Sequence, residues 1–127
     1  GIPIMRKQGY GLFINMSSVA GLVGYIPTNE SYTATKGAVT LLTKSIATRY
    51  AKYGIRCNSI HPATVETELV KKVIADPKLR NERIADIPLN RLCTPEDVAN
   101  AVSFLASEQA SFINGVQFAV DGGLTAR

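Results

Sequence analysis

The sequence predicts an α/β fold built on a parallel sheet, and three observations carry that expectation. Short, nearly continuous apolar runs alternate with stretches of helical spacing. They follow in the order strand, helix, strand, helix, strand, and glycine or proline marks the turns between them. Strands joined through helices pair in parallel by right-handed crossovers. Such sheets are covered on both faces, so their strands need no polar side.

Each element has its own local justification. "GIPIMRKQGYG" (residues 1–11) reads as the end of a helix stopped by Gly9 or Gly11. "GLFINMSS" (Gly11 to Ser18) is a candidate buried strand, and the glycine-rich Val19 to Asn29 a loop. From about Ser31 to Tyr53, Ala34, Ala38, Leu41, Leu42, Ser45, Ile46 and Arg49 recur at helical spacing before Gly54 supplies a stop. "IRCNSIHP" (Ile55 to Pro62) is a second strand, closed by a proline that cannot donate to a ladder. The charged segment 64–90 has helical pieces interrupted by Pro77 and Pro88, the pattern of a lid or binding segment. Thr94, Pro95, Glu96 and Asp97 form a strong helix start, and "GVQFAVDGG" is a third strand.

The chain of 127 residues is read as one domain, 1–127, and 46% hydrophobic against 19% charged residues suits a packed core. Its net charge of +4 is spread along the sequence, without the basic and aromatic interleaving of a nucleic-acid groove. One histidine and two cysteines far apart offer too few ligands for a zinc site. No apolar run reaches bilayer length and no signal-peptide pattern opens the chain, so a cytoplasmic protein with no membrane or nucleic-acid partner is expected.

The chemistry concentrates in "ESYTATKGAV" (residues 30–39). Tyr32 and Lys36 are one helical turn apart, on one face. An ammonium so placed stabilises a phenolate and lets the tyrosine give or take a proton near neutral pH. Taken alone, such a pair is a common surface feature. Its context is less common: Ser17 and Ser18 end a predicted parallel strand, where open α/β sheets place ligands. Ala34, Gly37 and Ala38 keep the helix slim enough for a flat ligand or a second helix to approach.

"INMSSVAG", "YTATK", "YGIRCNSIHPA", "TPEDVANAVSFLAS" and "GVQFAVDGG" together resemble, in order and at suitable spacing, successive motifs of the short-chain dehydrogenase/reductase family. The resemblance implies the carboxy-terminal part of a Rossmann-type doubly wound parallel sheet, three strands with flanking helices. It also implies NAD or NADP as cofactor, a small-molecule secondary alcohol or ketone as substrate, and a homo-oligomer (dimer or tetramer) when intact. Carried over by position, Ser18 binds the substrate oxygen, Tyr32 is the acid/base, and Lys36 holds the nicotinamide ribose hydroxyls beside Tyr32. Pro62, Ala63, Val65 (through its backbone) and Thr67 fall where the family grips the nicotinamide carboxamide. The family usually has glycine where Ala63 stands; a need for positive φ or very close backbone approach would strain an alanine there. His61 is expected to support the strand end rather than act in catalysis.

The family's glycine-rich pyrophosphate turn, its NAD-or-NADP-selecting residue and its tetrad asparagine have no counterpart in these residues. Gly21 and Gly24 do not open a dinucleotide-binding unit. The chain therefore resembles the carboxy-terminal half of such an enzyme, a fragment expected to be inactive on its own. The alternative is a truncated, non-catalytic family member that acts through a partner chain. A Ser18–Lys36 hydrolase dyad is weaker still, since it leaves Tyr32 idle and shows no oxyanion hole.

Overall fold

The apolar runs form strands because each is flanked by a turn that stops the preceding helix. A computed structural model describes all 127 residues. Strand β1 (Gly11–Met16) pairs in parallel with β2 (Ile55–Pro62), from Gly11 opposite Ile55 to Met16 opposite Ile60. Strand β3 (Gln117–Val120) pairs in parallel along the other side of β2, giving the order β1-β2-β3. The central strand is buried along its length except at Arg56. That guanidinium donates to the carbonyls of Leu105 and Ile113 at 3.2–3.3 Å.

Five helices flank the sheet: α1 (Ile2–Gln8), α2 (Glu30–Tyr50), α3 (Glu68–Val73), α4 (Pro77–Ala85) and α5 (Pro95–Ala106). Gly9 stops α1, and a 3-10 turn over Ala51–Tyr53 carries α2 to Gly54, whose φ of 75° is left-handed. A side chain at Gly54 would run into the carbonyl of Gly9. The turns that launch β1 and β2 thus nest together, joined by Gly11 N–H donating to the Gly54 carbonyl at 3.2 Å. Pro77 does not interrupt a helix. It opens α4 at the first helical position behind the N-cap Asp76. Thr94 and Asp97 complete a reciprocal capping box at the start of α5.

Two sequence expectations shift in the structure. β1 stops at Met16, two residues short of the predicted end. The last backbone tie is Ser17 N–H to the Ile60 carbonyl at 2.8 Å, and Pro62 then has no N–H with which to continue. On α2, the inward face is Thr40, Thr43 and Ala47, while Leu41 and Leu42 are 68% and 54% exposed. Threonines can face inward because their hydroxyls are satisfied: Thr43 donates to the Val39 carbonyl and accepts from the Asn15 amide.

One apolar cluster, Ile60, Ala101, Leu105 and Ala110, seals α5 onto the sheet. A second joins Val19, Ala63, Ile74, Ile87, Leu92 and Leu124 at the carboxyl ends of the strands, with Val70, Leu79 and Ile84 packed against it. Segment 64–90 is therefore seated on the strand ends, and an Arg80–Glu66 ion pair at 2.7 Å ties it back to the chain leaving β2. Ala63 belongs to this cluster at 6% exposure. Asn90 is the sole non-glycine residue with positive φ, so Ala63 carries no positive-φ strain. Its methyl group fills space, and Ala63→Gly should destabilise the protein by about 1–2 kcal/mol, read as a lower denaturant midpoint.

After β3, the Asp121 carboxylate accepts from the Gly123 and Thr125 amides at 3.0 and 2.9 Å and from the Thr125 hydroxyl at 2.6 Å. Burial works to raise its proton affinity, but the Thr125 and Gly123 hydrogen bonds outweigh it and hold the carboxyl below its ordinary range. A depressed folded-state value contributes stability above the unfolded value of about 3.9, and that contribution is lost as pH falls through the folded one. Asp121→Asn should lower the unfolding midpoint at pH 7 and flatten its decline between about pH 4 and pH 2.

Candidate active site

The chain leaving β1 builds the first part of the site. Ser18 is extended (φ −161°, ψ 162°), and its hydroxyl oxygen accepts the Ala20 amide at 3.1 Å, capping the 3-10 turn Val19–Gly21. The hydroxyl hydrogen makes no bond within the chain, so this largely buried group still has a proton to offer. The Ser18 carbonyl lies 2.8 Å from His61 Nδ1. A carbonyl only accepts, so Nδ1 carries the hydrogen and Nε2 takes the Ser59 hydroxyl proton at 2.7 Å. Burial pushes the His61 imidazole below its ordinary value, against a smaller upward pull from the Ser18 carbonyl.

Helix α2 supplies the second part. Asn29 caps it by accepting the Tyr32 amide at 2.8 Å, which places Tyr32 in the first turn, 42% exposed. Lys36 Nζ sits 5.4 Å from the centre of the Tyr32 ring, within cation–π reach. The helix is clamped to the end of β1 at this turn. Ser17 Oγ donates to the Lys36 carbonyl at 3.2 Å. Thr40 Oγ1 donates to the Gly21 carbonyl at 2.9 Å, with the Lys36 carbonyl a longer second acceptor at 3.3 Å. A side chain at Gly21 would come within 2.8 Å of the Lys36 carbonyl oxygen, so only glycine allows this approach.

The residues after β2 diverge in character. Pro62 and Ala63 are buried, and the Ala63 amide bonds the Val120 carbonyl at 3.2 Å. Val65 forms a parallel bridge with Cys93, made by the Thr64 carbonyl and the Glu66 amide, so the Val65 amide itself points away and is unpaired within the chain. The Thr67 hydroxyl caps α3 by accepting the Val70 amide at 3.2 Å, and Thr67 is exposed. A half-buried lysine beside an exposed tyrosine and a free backbone donor past the strand end offer cationic and N–H donors of the kind a nicotinamide riboside needs.

Sequence reasoning passed over the hydroxyls of Thr40 and Ser59 and the full burial of His61. Their signal was present: threonines on the inner face of a helix and a histidine in a buried strand each need a polar partner. A concavity of about 720 Å³ lies between β3, α5 and residues 87–93, and none of Ser18, Tyr32 and Lys36 lines it. Both cysteines are buried. Burial pushes Cys93 up to about 11, with the Asp97 charge adding to it, and likewise raises Cys57, so neither is a ready thiolate. No helix is long and apolar enough to cross a membrane.

Comparison with known proteins agrees with the fold. The family model described as enoyl-(acyl carrier protein) reductase matches residues 1–125. The chain is 44% identical over 125 residues to 2-(R)-hydroxypropyl-CoM dehydrogenase from Xanthobacter autotrophicus (strain ATCC BAA-1158 / Py2), covering 98% of this chain and 50% of that protein. It is 41% identical over 125 residues to cyclopentanol dehydrogenase from Comamonas sp. (strain NCIMB 9872), again covering 98% and 50%. A crystal structure of gluconate 5-dehydrogenase from Burkholderia cenocepacia J2315, in complex with NADP and tartrate, superposes with a TM-score of 0.91 at 37% identity, covering 98% of this chain and 49% of that one. The chain spans about half the length of the curated relatives it matches. It belongs to the short-chain dehydrogenase/reductase family.

Proposed function

We propose that these residues carry the acid/base and substrate-binding half of an NAD- or NADP-dependent oxidoreductase that interconverts a secondary alcohol and a ketone. The observation that carries it is the clamp at the Lys36 carbonyl. It fixes the turn of α2 bearing Tyr32 and Lys36 against the chain segment bearing Ser18. Lys36 and the Val65 amide would hold the nicotinamide riboside, with Pro62, Ala63 and Thr67 shaping the backbone around it. When bound, the cofactor accepts or supplies the hydride.

The chain's own residues do the rest. Ser18 keeps its hydroxyl proton free for the substrate oxygen while its own oxygen is held by the Ala20 amide. Tyr32 takes the alcohol proton in oxidation and returns one to the ketone in reduction. The Lys36 ammonium, 5.4 Å from the centre of the Tyr32 ring, sets a positive charge beside the group that moves the proton. Segment 64–90 forms the substrate face, where exposed Leu69 and Val73 on α3 favour an apolar or cyclic alcohol. An intact enzyme of this kind would be a homo-oligomer.

Tyr32→Phe, in the protein expressed from its own gene, should lower kcat by about 100-fold or more while leaving cofactor binding by fluorescence titration within about threefold. Full activity in that variant would remove the acid/base assignment. Residues 1–127 contain no turn with the G-x-G-x-x-G spacing that seats a pyrophosphate at a helix N-terminus, and β1 leaves one sheet edge unpaired. The isolated 127-residue polypeptide should therefore show no saturable NADH or NADPH oxidation with a ketone. Saturable turnover by it would contradict that part of the proposal.

A further inference from the structure

His61 does more than fill the end of β2. The backbone ladder between β1 and β2 ends at Ser17, because Pro62 has no N–H to offer the next carbonyl. Just beyond that point, the His61 side chain makes the next tie between the two chain segments, through Nδ1 to the Ser18 carbonyl at 2.8 Å. The ring is fully buried, and its far nitrogen is occupied by the Ser59 hydroxyl, which is itself fully buried. Both ring nitrogens are thus satisfied in one neutral tautomer, so the ring cannot rotate away without losing two bonds in an apolar surrounding.

The consequence falls on Ser18. Its carbonyl is held by His61, its side-chain oxygen by the Ala20 amide, and its backbone is extended between them. Two fixed points on a single residue leave little freedom in where its hydroxyl proton is presented. We propose that His61 is a positioning residue for Ser18, acting by holding the Ser18 carbonyl at the strand end so that the serine hydroxyl is aimed at the substrate oxygen. This rests on the reading that Ser18 contacts the substrate. It assigns no proton transfer to His61, whose ring hydrogen-bonds Ser59 and the Ser18 carbonyl and neither Tyr32 nor Lys36.

The geometry distinguishes two amide substitutes. An asparagine at residue 61 places its side-chain nitrogen near the position of Nδ1, where it can still donate to the Ser18 carbonyl. A glutamine carries its amide further out, near the position of Nε2, and leaves that carbonyl unpaired. Steady-state kinetics on a panel of secondary alcohols, in the protein expressed from its own gene, should show His61→Asn within about threefold of wild-type kcat. His61→Gln should lose on the order of 10- to 100-fold, with the cofactor KM little changed. In a Ser18→Ala background, His61→Gln should produce no further loss, because the residue it positions is gone. Equal kcat for the Asn and Gln variants overturns the inference, as does an undiminished effect of His61→Gln in the Ser18→Ala background. If Ser18→Ala alone keeps wild-type kcat, the site reading fails, and with it the role given to His61.

Discussion

The candidate site depends on one main-chain oxygen, the carbonyl of Lys36. It receives the Ser17 hydroxyl from the chain leaving β1, and the Thr40 hydroxyl one turn further along α2 spans between it and the Gly21 carbonyl. Each of these neutral hydrogen bonds is worth only about 1 kcal/mol net. Their importance is geometric. They set the distance between a helix and a strand end at the turn that carries Lys36 and, four residues before it, Tyr32. Gly21 makes the approach feasible, since any side chain there would press on the same carbonyl. Residues that look incidental beside Ser18, Tyr32 and Lys36 therefore hold them in register.

A second constraint is the proline that ends β2. By removing a donor, Pro62 frees the chain after Ser17 from the ladder, and the chain turns at once into the 3-10 turn that Ser18 caps. The turn delivers Val19 into the apolar cluster under segment 64–90, where Ala63, Ile74 and Leu124 meet it. The same cluster thus anchors the strand end and the segment beside the site. This coupling explains how a charged, proline-broken stretch between β2 and α5 is held in place by only a few apolar side chains.

Much of this was legible in the sequence because it rests on local rules. The β2 boundaries follow from Gly54 and Pro62, the start of α5 from Thr94 and Asp97, and the parallel order from alternating strands and helices. Tyr32 and Lys36 share a face as their spacing required. What escaped depends on contacts between residues distant in sequence. The inward face of α2 is threonine rather than leucine, because its hydroxyls find partners on β1 and in the loop at Gly21. A periodicity argument weighs hydrophobicity and cannot see such partners. The burial of Ala63 likewise depends on five residues distant from it in sequence, Val19, Ile74, Ile87, Leu92 and Leu124, and on no positive φ of its own.

In the proposed site, Ser18 and Tyr32 meet at one substrate oxygen, with Lys36 beside them. The most direct measurement is a crystal structure of the protein expressed from its own gene, soaked with oxidised cofactor and a slow secondary alcohol. The alcohol oxygen should lie within hydrogen-bond distance of both Ser18 Oγ and Tyr32 Oη, with the nicotinamide ribose against Lys36. An alcohol seated instead in the concavity between β3 and α5, with Ser18 and Tyr32 free of it, would contradict the claim.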